Sequence, residues 1–156
     1  MTRKVEKRTN FRLDEVAPGE VNRYWTRVVI SDADRAELPG GKGWNYVAAE
    51  TCGALTINAG TFEMPPGVGS GMSDLHSHSA EEFSYILGGQ GWIAVEDEIH
   101  HFQAGDFVFV PAFARHGWFN DGREPLTVLF WRPVKPEPPK SDRHFDLRRF
   151  KIVSGA

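Results

Sequence analysis

His76 and His78 stand two residues apart, an acid follows at Glu82, and a third histidine, His116, comes 38 residues after His78. Side chains alternate along an extended strand, so His76 and His78 would share one face. The three residues between His78 and Glu82 leave room for a turn that brings a neighbouring strand alongside, whereas His116 can join only through the fold. Three imidazoles and a carboxylate suit Fe(II), Mn(II), Ni(II), Cu(II) or Zn(II), with positions left open for water or substrate. Taken separately these residues decide nothing, because a His-x-His pair is also an ordinary surface feature. The surrounding elements must bring all four together.

Those elements read as short strands. Tyr24 to Ile30 is β-branched and aromatic, and residues 31 to 43, with Leu38-Pro39-Gly40-Gly41, read as a loop before a short strand at Trp44 to Ala48. Strand signals then follow in order: Leu55 to Met64, Leu75 to His78, Glu82 to Leu87, Trp92 to Glu96, Ile99 to Phe102, Phe107 to Val110, His116 to Phe119 and Leu126 to Trp131. Pro65-Pro66-Gly67, Gly88-Gly89, Asp97, Gly105, Pro111 and Asn120-Asp121-Gly122 punctuate them. This spacing predicts an all-β sandwich or closed barrel, with no helix of convincing length. Residues 1–50 are expected to form an arm and accessory strands, 51–134 the barrel and 135–156 a tail that opens proline-rich, extended and exposed. His144 to Val153 could pack on the barrel or cross to a partner chain. No internal repeat is visible, which argues against a second barrel.

The motifs around the histidines resemble those of the cupin superfamily. His76-Ser-His78-Ser-Ala-Glu-Glu82-Phe-Ser-Tyr-Ile-Leu-Gly-Gly89 looks like the first cupin motif, and Gly105-Asp-Phe-Val-Phe-Val-Pro111-Ala-Phe-Ala-Arg-His116-Gly-Trp-Phe-Asn120 is similar to the second. The 15 residues between them match the short linker of small bacterial cupins. The resemblance implies one jelly-roll barrel (a double-stranded β-helix) and a divalent metal on His76, His78, Glu82 and His116. Glu82 rather than Glu81 keeps the motif's spacing to Gly89. Two positions depart from the pattern: Ser70 and Phe113 stand where glycines are expected, and Phe113 puts a bulky ring in the loop before His116.

Alternation extends the reading to neighbours. With Glu82 inward, Ser84 and Ile86 face inward too, while Phe83, Tyr85 and Leu87 face outward and need a cover. A second subunit in a homodimer is the expected cover; the N-terminal arm or another sheet of the same chain are the alternatives. Trp118 and Asn120 should share the inward face of His116, where Trp118 would either stack on a planar substrate or fill the barrel. Trp92 and Phe113 are further pocket candidates whose ordinary roles would be core and loop packing. His100, His101 and His144 read as surface histidines, and Arg115 should point outward.

The whole chain narrows the function classes. Its 156 residues fit one domain, 40% hydrophobic residues allow a proper core, and a formal charge of −3 gives no general attraction to nucleic acid or anionic membrane. Basic residues are denser only near Arg3 to Arg12 and Arg143 to Lys151. The single cysteine, Cys52, excludes an internal disulfide and a multi-thiolate zinc site. No bilayer-length apolar run and no signal sequence stand out, so a cytoplasmic location is expected. No Gly-x-Ser-x-Gly elbow or phosphate-cradling loop is present. The expected function is therefore a metal-dependent enzyme on a small organic acid or phenolic compound, with a non-haem Fe(II) dioxygenase first. Redox-neutral isomerase, decarboxylase or lyase chemistry with Mn(II), Zn(II) or Ni(II) is the alternative, beside a non-catalytic small-molecule binding module. No general acid or base can be named from sequence.

Overall fold

The half-buried alternating segments pair into two sheets in the computed structural model, which describes residues 27–38, 41–54, 56–70, 74–133 and 151–153. The elements are β1 Ala36–Glu37, β2 Gly43–Val47, α1 Ala49–Cys52, β3 Ile57–Met64, β4 Glu82–Gly88, β5 Gln90–Val95, β6 Glu98–Gln103, β7 Phe107–Val110, β8 His116–Phe119, β9 Leu126–Pro133 and β10 Lys151–Val153. One sheet has the order β1-β2-β3-β9-β4-β7 and the other β10-β6-β5-β8. Their pairings are antiparallel apart from β10, which lies parallel to β6. This is the expected all-β jelly-roll barrel.

The pleat sorts the side chains. On β4, Glu82, Ser84 and Ile86 are buried, and Leu87 is exposed. Ile86, Ile93, Phe102, Val108, Val110, Trp118, Leu126 and Val128 form one core cluster between the sheets. Each such side chain removed from water is worth about 1.5–3 kcal/mol. The β4–β5 hairpin turns at Gly89, whose φ is +83°, and a Cβ there would meet the Pro125 carbonyl oxygen at 2.7 Å. Glycine is thus required twice over, by backbone conformation and by close approach.

Several expectations need correction. Leu75 to His78 does not form a strand; only His76 makes a bridge, to His116, before the chain turns towards β4. Residues 27–30 of the segment expected as a first strand are irregular, with Val28 and Val29 exposed, and residues 24–26 lie outside the described residues. An ion pair between Arg27 and Asp34 ties this stretch to the turn that follows it. The segment expected as a loop contains the two-residue β1, which pairs with β2. The single helical turn α1 was not anticipated. The Thr51 hydroxyl holds it, donating to the Tyr46 carbonyl and accepting from the Ala48 N–H, and Gly53 ends it at φ 76°. Within the expected C-terminal packing segment, 151–153 adds to the edge of β6, while 144–150, including His144, lie outside the described residues.

Candidate metal centre

The site is assembled by backbone pairing before any side chain acts. His76 and His116 exchange two hydrogen bonds, with His76 N–H donating over 3.1 Å to the His116 carbonyl and the reverse bond spanning 2.8 Å. The loop between β7 and β8 is pinned to the same segment, because Phe113 N–H donates to the His78 carbonyl over 2.8 Å. Glu82 opens β4 opposite Val110 of β7. Four residues separated in sequence are thereby brought to one end of the barrel.

Ring nitrogens of His76, His78 and His116 all lie within 4.8 Å of one another. That is a spread a single ion with bonds of about 2.1 Å could close by small ring rotations. Glu82 is not in that tight cluster but adjoins it, its Oε2 lying 3.2 Å from His78 Nε2. His78, Glu82 and His116 are buried, while His76 stands exposed at the mouth.

The hydrogen bonds select the nitrogen each ring presents. Nδ1 of His78 lies 2.6 Å from the Ala80 carbonyl, and Nδ1 of His116 lies 3.0 Å from that of Ala114. A carbonyl only accepts, so both Nδ1 atoms carry hydrogen and Nε2 points into the cluster. For His116 that Nε2 is buried without any hydrogen-bond partner. Such an orphan costs about 1–3 kcal/mol unless something coordinates it. An all-nitrogen and oxygen donor set with a buried, unsatisfied imidazole lone pair fits a divalent transition metal.

Electrostatics agree with this reading. Although His76 is exposed as a residue, its ring packs 4.3 Å from that of His116; desolvation of the ring there, followed by the neighbouring His116 charge, lowers its pKa to about 4, and burial also lowers that of His116. The hydrogen bond to Glu82 raises the pKa of His78 against burial. Burial pushes Glu82 upward, but its hydrogen bond with His78 and the nearby histidines outweigh this and hold it below the usual value. In the metal-free chain the His78–Glu82 contact thus favours the protonated imidazole and the ionised carboxylate.

A pH dependence follows for the metal-free protein. Unfolded His76 takes up a proton near pH 6.5, whereas the folded form resists until about 4. Stability is therefore lost as pH falls through that window, with His116 contributing in the same direction. The His78 shift has the opposite sign, so its contribution is complete below 6.5 and fades as pH rises. Chelator-treated protein should show a melting temperature that drops between pH 6.5 and 4, and His76→Asn should drop less. An equal decline in the variant would remove His76 as the cause.

The other candidate pocket residues separate clearly. Ser84 lies two places along β4 from Glu82 on the same face, and its hydroxyl is buried without a partner. Trp118 is core rather than pocket lining: it is 4% exposed and packs edge-on against Phe62 at 5.6 Å and against Phe102 at 5.2 Å. Asn120 is structural, donating from Nδ2 to the Met64 and Glu124 carbonyls and accepting from Gly122 N–H. Trp92 lies outside the barrel because β5 pairs it with Phe119, on the face opposite to His116, and the two rings stack at 4.9 Å. Phe113 is exposed and sits at φ 66°, a left-handed conformation costly for a side chain of this size, where the family pattern has glycine. Arg115 points away as expected and pairs with Glu96 at 2.8 Å. His100 and His101 are surface residues beside Glu98 and Asp121.

Sequence reasoning missed Arg132. The β4–β9 register pairs Phe83 with Trp131, which puts Arg132 beside Glu82 on the inward face. Its positive charge is felt at His76, His78, Glu82 and His116 alike. Continued alternation along Leu126 to Trp131 would have placed it there.

Comparisons with known proteins agree with the geometry. The Cupin domain family model matches residues 60–132. The chain is 28% identical over 113 residues to a 1-hydroxy-2-naphthoate 1,2-dioxygenase of Nocardioides, covering 71% of this chain and 28% of that protein. It is 36% identical over 56 residues to an uncharacterised protein of Methanocaldococcus jannaschii, covering 35% of this chain and 45% of the other. The chain thus spans less than half the length of either curated relative. Among solved structures, one from Thermotoga maritima described as a predicted oxalate decarboxylase superposes with a TM-score of 0.55 at 23% identity, covering 69% of this chain and all of that one. Among the described residues, no helix is long and apolar enough to cross a membrane. With the two motifs, the jelly-roll barrel and the matched family model in agreement, residues 60–132 are a cupin domain, and its three clustered histidines can hold a divalent metal.

Proposed function

We propose that the chain is a metal-dependent oxygenase, a non-haem Fe(II) dioxygenase acting on a small hydroxylated or phenolic acid. The observation that carries the reading is the cluster of three histidines with the buried, unpartnered Nε2 of His116 at its centre. His76, His78 and His116 would hold the ion, and Glu82 would offset part of its charge. When bound, such an ion supplies Lewis acidity, open positions for substrate oxygens and, as Fe(II), electrons for reaction with O₂.

The remaining work falls to the protein's own residues. Exposed His76 marks the side from which substrate enters, and buried His78 and His116 keep water from the inner side. Arg132, beside Glu82, supplies positive charge that favours an anionic substrate. The dioxygenase relative from Nocardioides is named for a substrate bearing both a hydroxyl and a carboxylate, which supports the same class.

The test is oxygen consumption by protein purified anaerobically and loaded with Fe(II), across aromatic hydroxy acids, aliphatic hydroxy acids and neutral phenols. Turnover of the acids is expected, and Arg132→Gln should raise their KM by about tenfold or more while changing neutral phenols little. Turnover without oxygen, with Mn(II) or Zn(II) replacing iron, would overturn the oxygenase reading in favour of redox-neutral chemistry. Tight binding without turnover under any metal would leave a binding module.

A further inference from the structure

Three buried side-chain atoms among the described residues have no hydrogen-bond partner: His116 Nε2, Ser84 Oγ and Asn45 Oδ1. A metal ion on the histidine cluster would account for the first. The other two share a row. Strand register places Asn45 of β2 opposite Gly60 of β3, Gly60 opposite Phe130 of β9, and Phe130 opposite Ser84 of β4. Directly opposed residues stand on one face of a sheet, and this face is the inward one: Ser84 is 1% exposed, and Phe130 and Asn45 are buried with it. On the outward side of β2, Trp44 carries the Arg35 guanidinium 3.9 Å from its ring centre. The adjacent inward row holds Glu82 and Arg132, so Ser84 stands two residues, about 6.6 Å, along β4 from the candidate centre. Each buried oxygen left unpaired destabilises the fold. Two in one row, beside the histidine cluster, point to a ligand that supplies the missing hydrogen bonds.

We propose that Ser84 is a substrate-binding residue whose hydroxyl bonds a second hydroxyl on the edge of the substrate remote from the metal. The inference rests on the reading of the chain as an enzyme of hydroxylated acids. With the acid end held near the metal and Arg132, the opposite edge of a planar ring extends along the inward face, past Phe130 and towards Ser84. A serine hydroxyl both donates and accepts, so another hydroxyl is its natural partner. Asn45 Oδ1, at the other end of the row, can accept from the same kind of group. Ser84 Oγ and His116 Nε2 are covered alike in the ligand-free chain, so a ligand reaches either only as inward side chains shift. A site that bonds a substrate hydroxyl disfavours the analogue lacking it, because its own polar group is then left unpaired. The preferred substrate is therefore a planar acid with a second hydroxyl at its far edge rather than a monohydroxy acid.

Calorimetric titration of the full chain loaded with Zn(II), which has no redox chemistry, reads binding without turnover. The probes are 2-hydroxybenzoate and 2,4-dihydroxybenzoate, whose extra hydroxyl lies opposite the carboxylate. The wild type should bind the second about tenfold more tightly, and Ser84→Ala should lose that preference. Leu87→Ala, on the exposed face of the same strand, should keep it. Ligand-free Ser84→Ala should melt at the wild-type temperature or above, because it gives up only an unpaired hydroxyl. A lower melting temperature would mean that a resident water satisfies Ser84, and would overturn the subsite. A preference that survives in Ser84→Ala would do the same. Equal binding of the two acids by the wild type would overturn the subsite while leaving the proposed function standing, whereas binding of neither acid would remove both.

Discussion

Replacing His116 by alanine is expected to reduce metal binding at least about 100-fold and to abolish any metal-dependent turnover. Loss of partners that merely orient a ligand already costs about 10–100-fold in affinity, and His116 is itself in the cluster. It is fully buried, and its Nδ1–H is committed to the Ala114 carbonyl, which leaves Nε2 as the atom it offers to an ion. The fold should survive, because the His76–His116 bridge is made by main-chain atoms that alanine retains. Removing the imidazole also removes an unsatisfied buried nitrogen, which offsets part of the cavity left behind. Elemental analysis beside a circular dichroism spectrum reads both effects. Near-stoichiometric metal in a folded His116→Ala protein would place the ion elsewhere.

Trp118→Ala should act through the core instead. The indole is 4% exposed and lies in the core cluster, against Phe62 and Phe102. Truncation of a buried tryptophan costs about 3–5 kcal/mol. Since a domain of this kind has only about 5–15 kcal/mol in total, the variant should approach the edge of stability. Urea unfolding measures this directly as a lower midpoint with an unchanged slope. Were Trp118 instead a platform for substrate, alanine would raise KM and leave the midpoint where it was. Trp118 and His116 share one strand and one face, yet their replacement should be felt in different measurements.

The strands from Glu82 onward were legible because turn residues bound them and several alternate between buried and open positions, β4 and β7 most cleanly. Phe107–Val110 and His116–Phe119 form over the very residues that the pattern indicated. The inward set on β4 followed from Glu82 alone. Features that depend on a distant partner were not legible. The segment around His76 looks like a strand in composition, but it finds only one bridge because the chain must turn towards β4. Trp92 suggested the pocket as an aromatic near the motifs; its register with Phe119 decides otherwise. The tail strand at 151–153 carries no signal of the parallel partner it finds in β6. For the site, spacing indicated the three histidines and Glu82. It could not show that Glu82 leans on His78, that an imidazole nitrogen is left unsatisfied, or that Arg132 stands beside them.

The pairing of β3 with β9 runs without interruption from Ile57 opposite Pro133 to Met64 opposite Leu126, and it encloses all three clustered histidines. The long chain segment between these two strands must be closed before that ladder can form, and such closures make folding slow. Neither His76 nor His116 has its partner until the barrel has come together. An ion that recognises the finished cluster therefore arrives after the rate-limiting step. It would hardly hasten folding, but it would delay unfolding, lengthening the lifetime of the native chain in proportion to how tightly it is held.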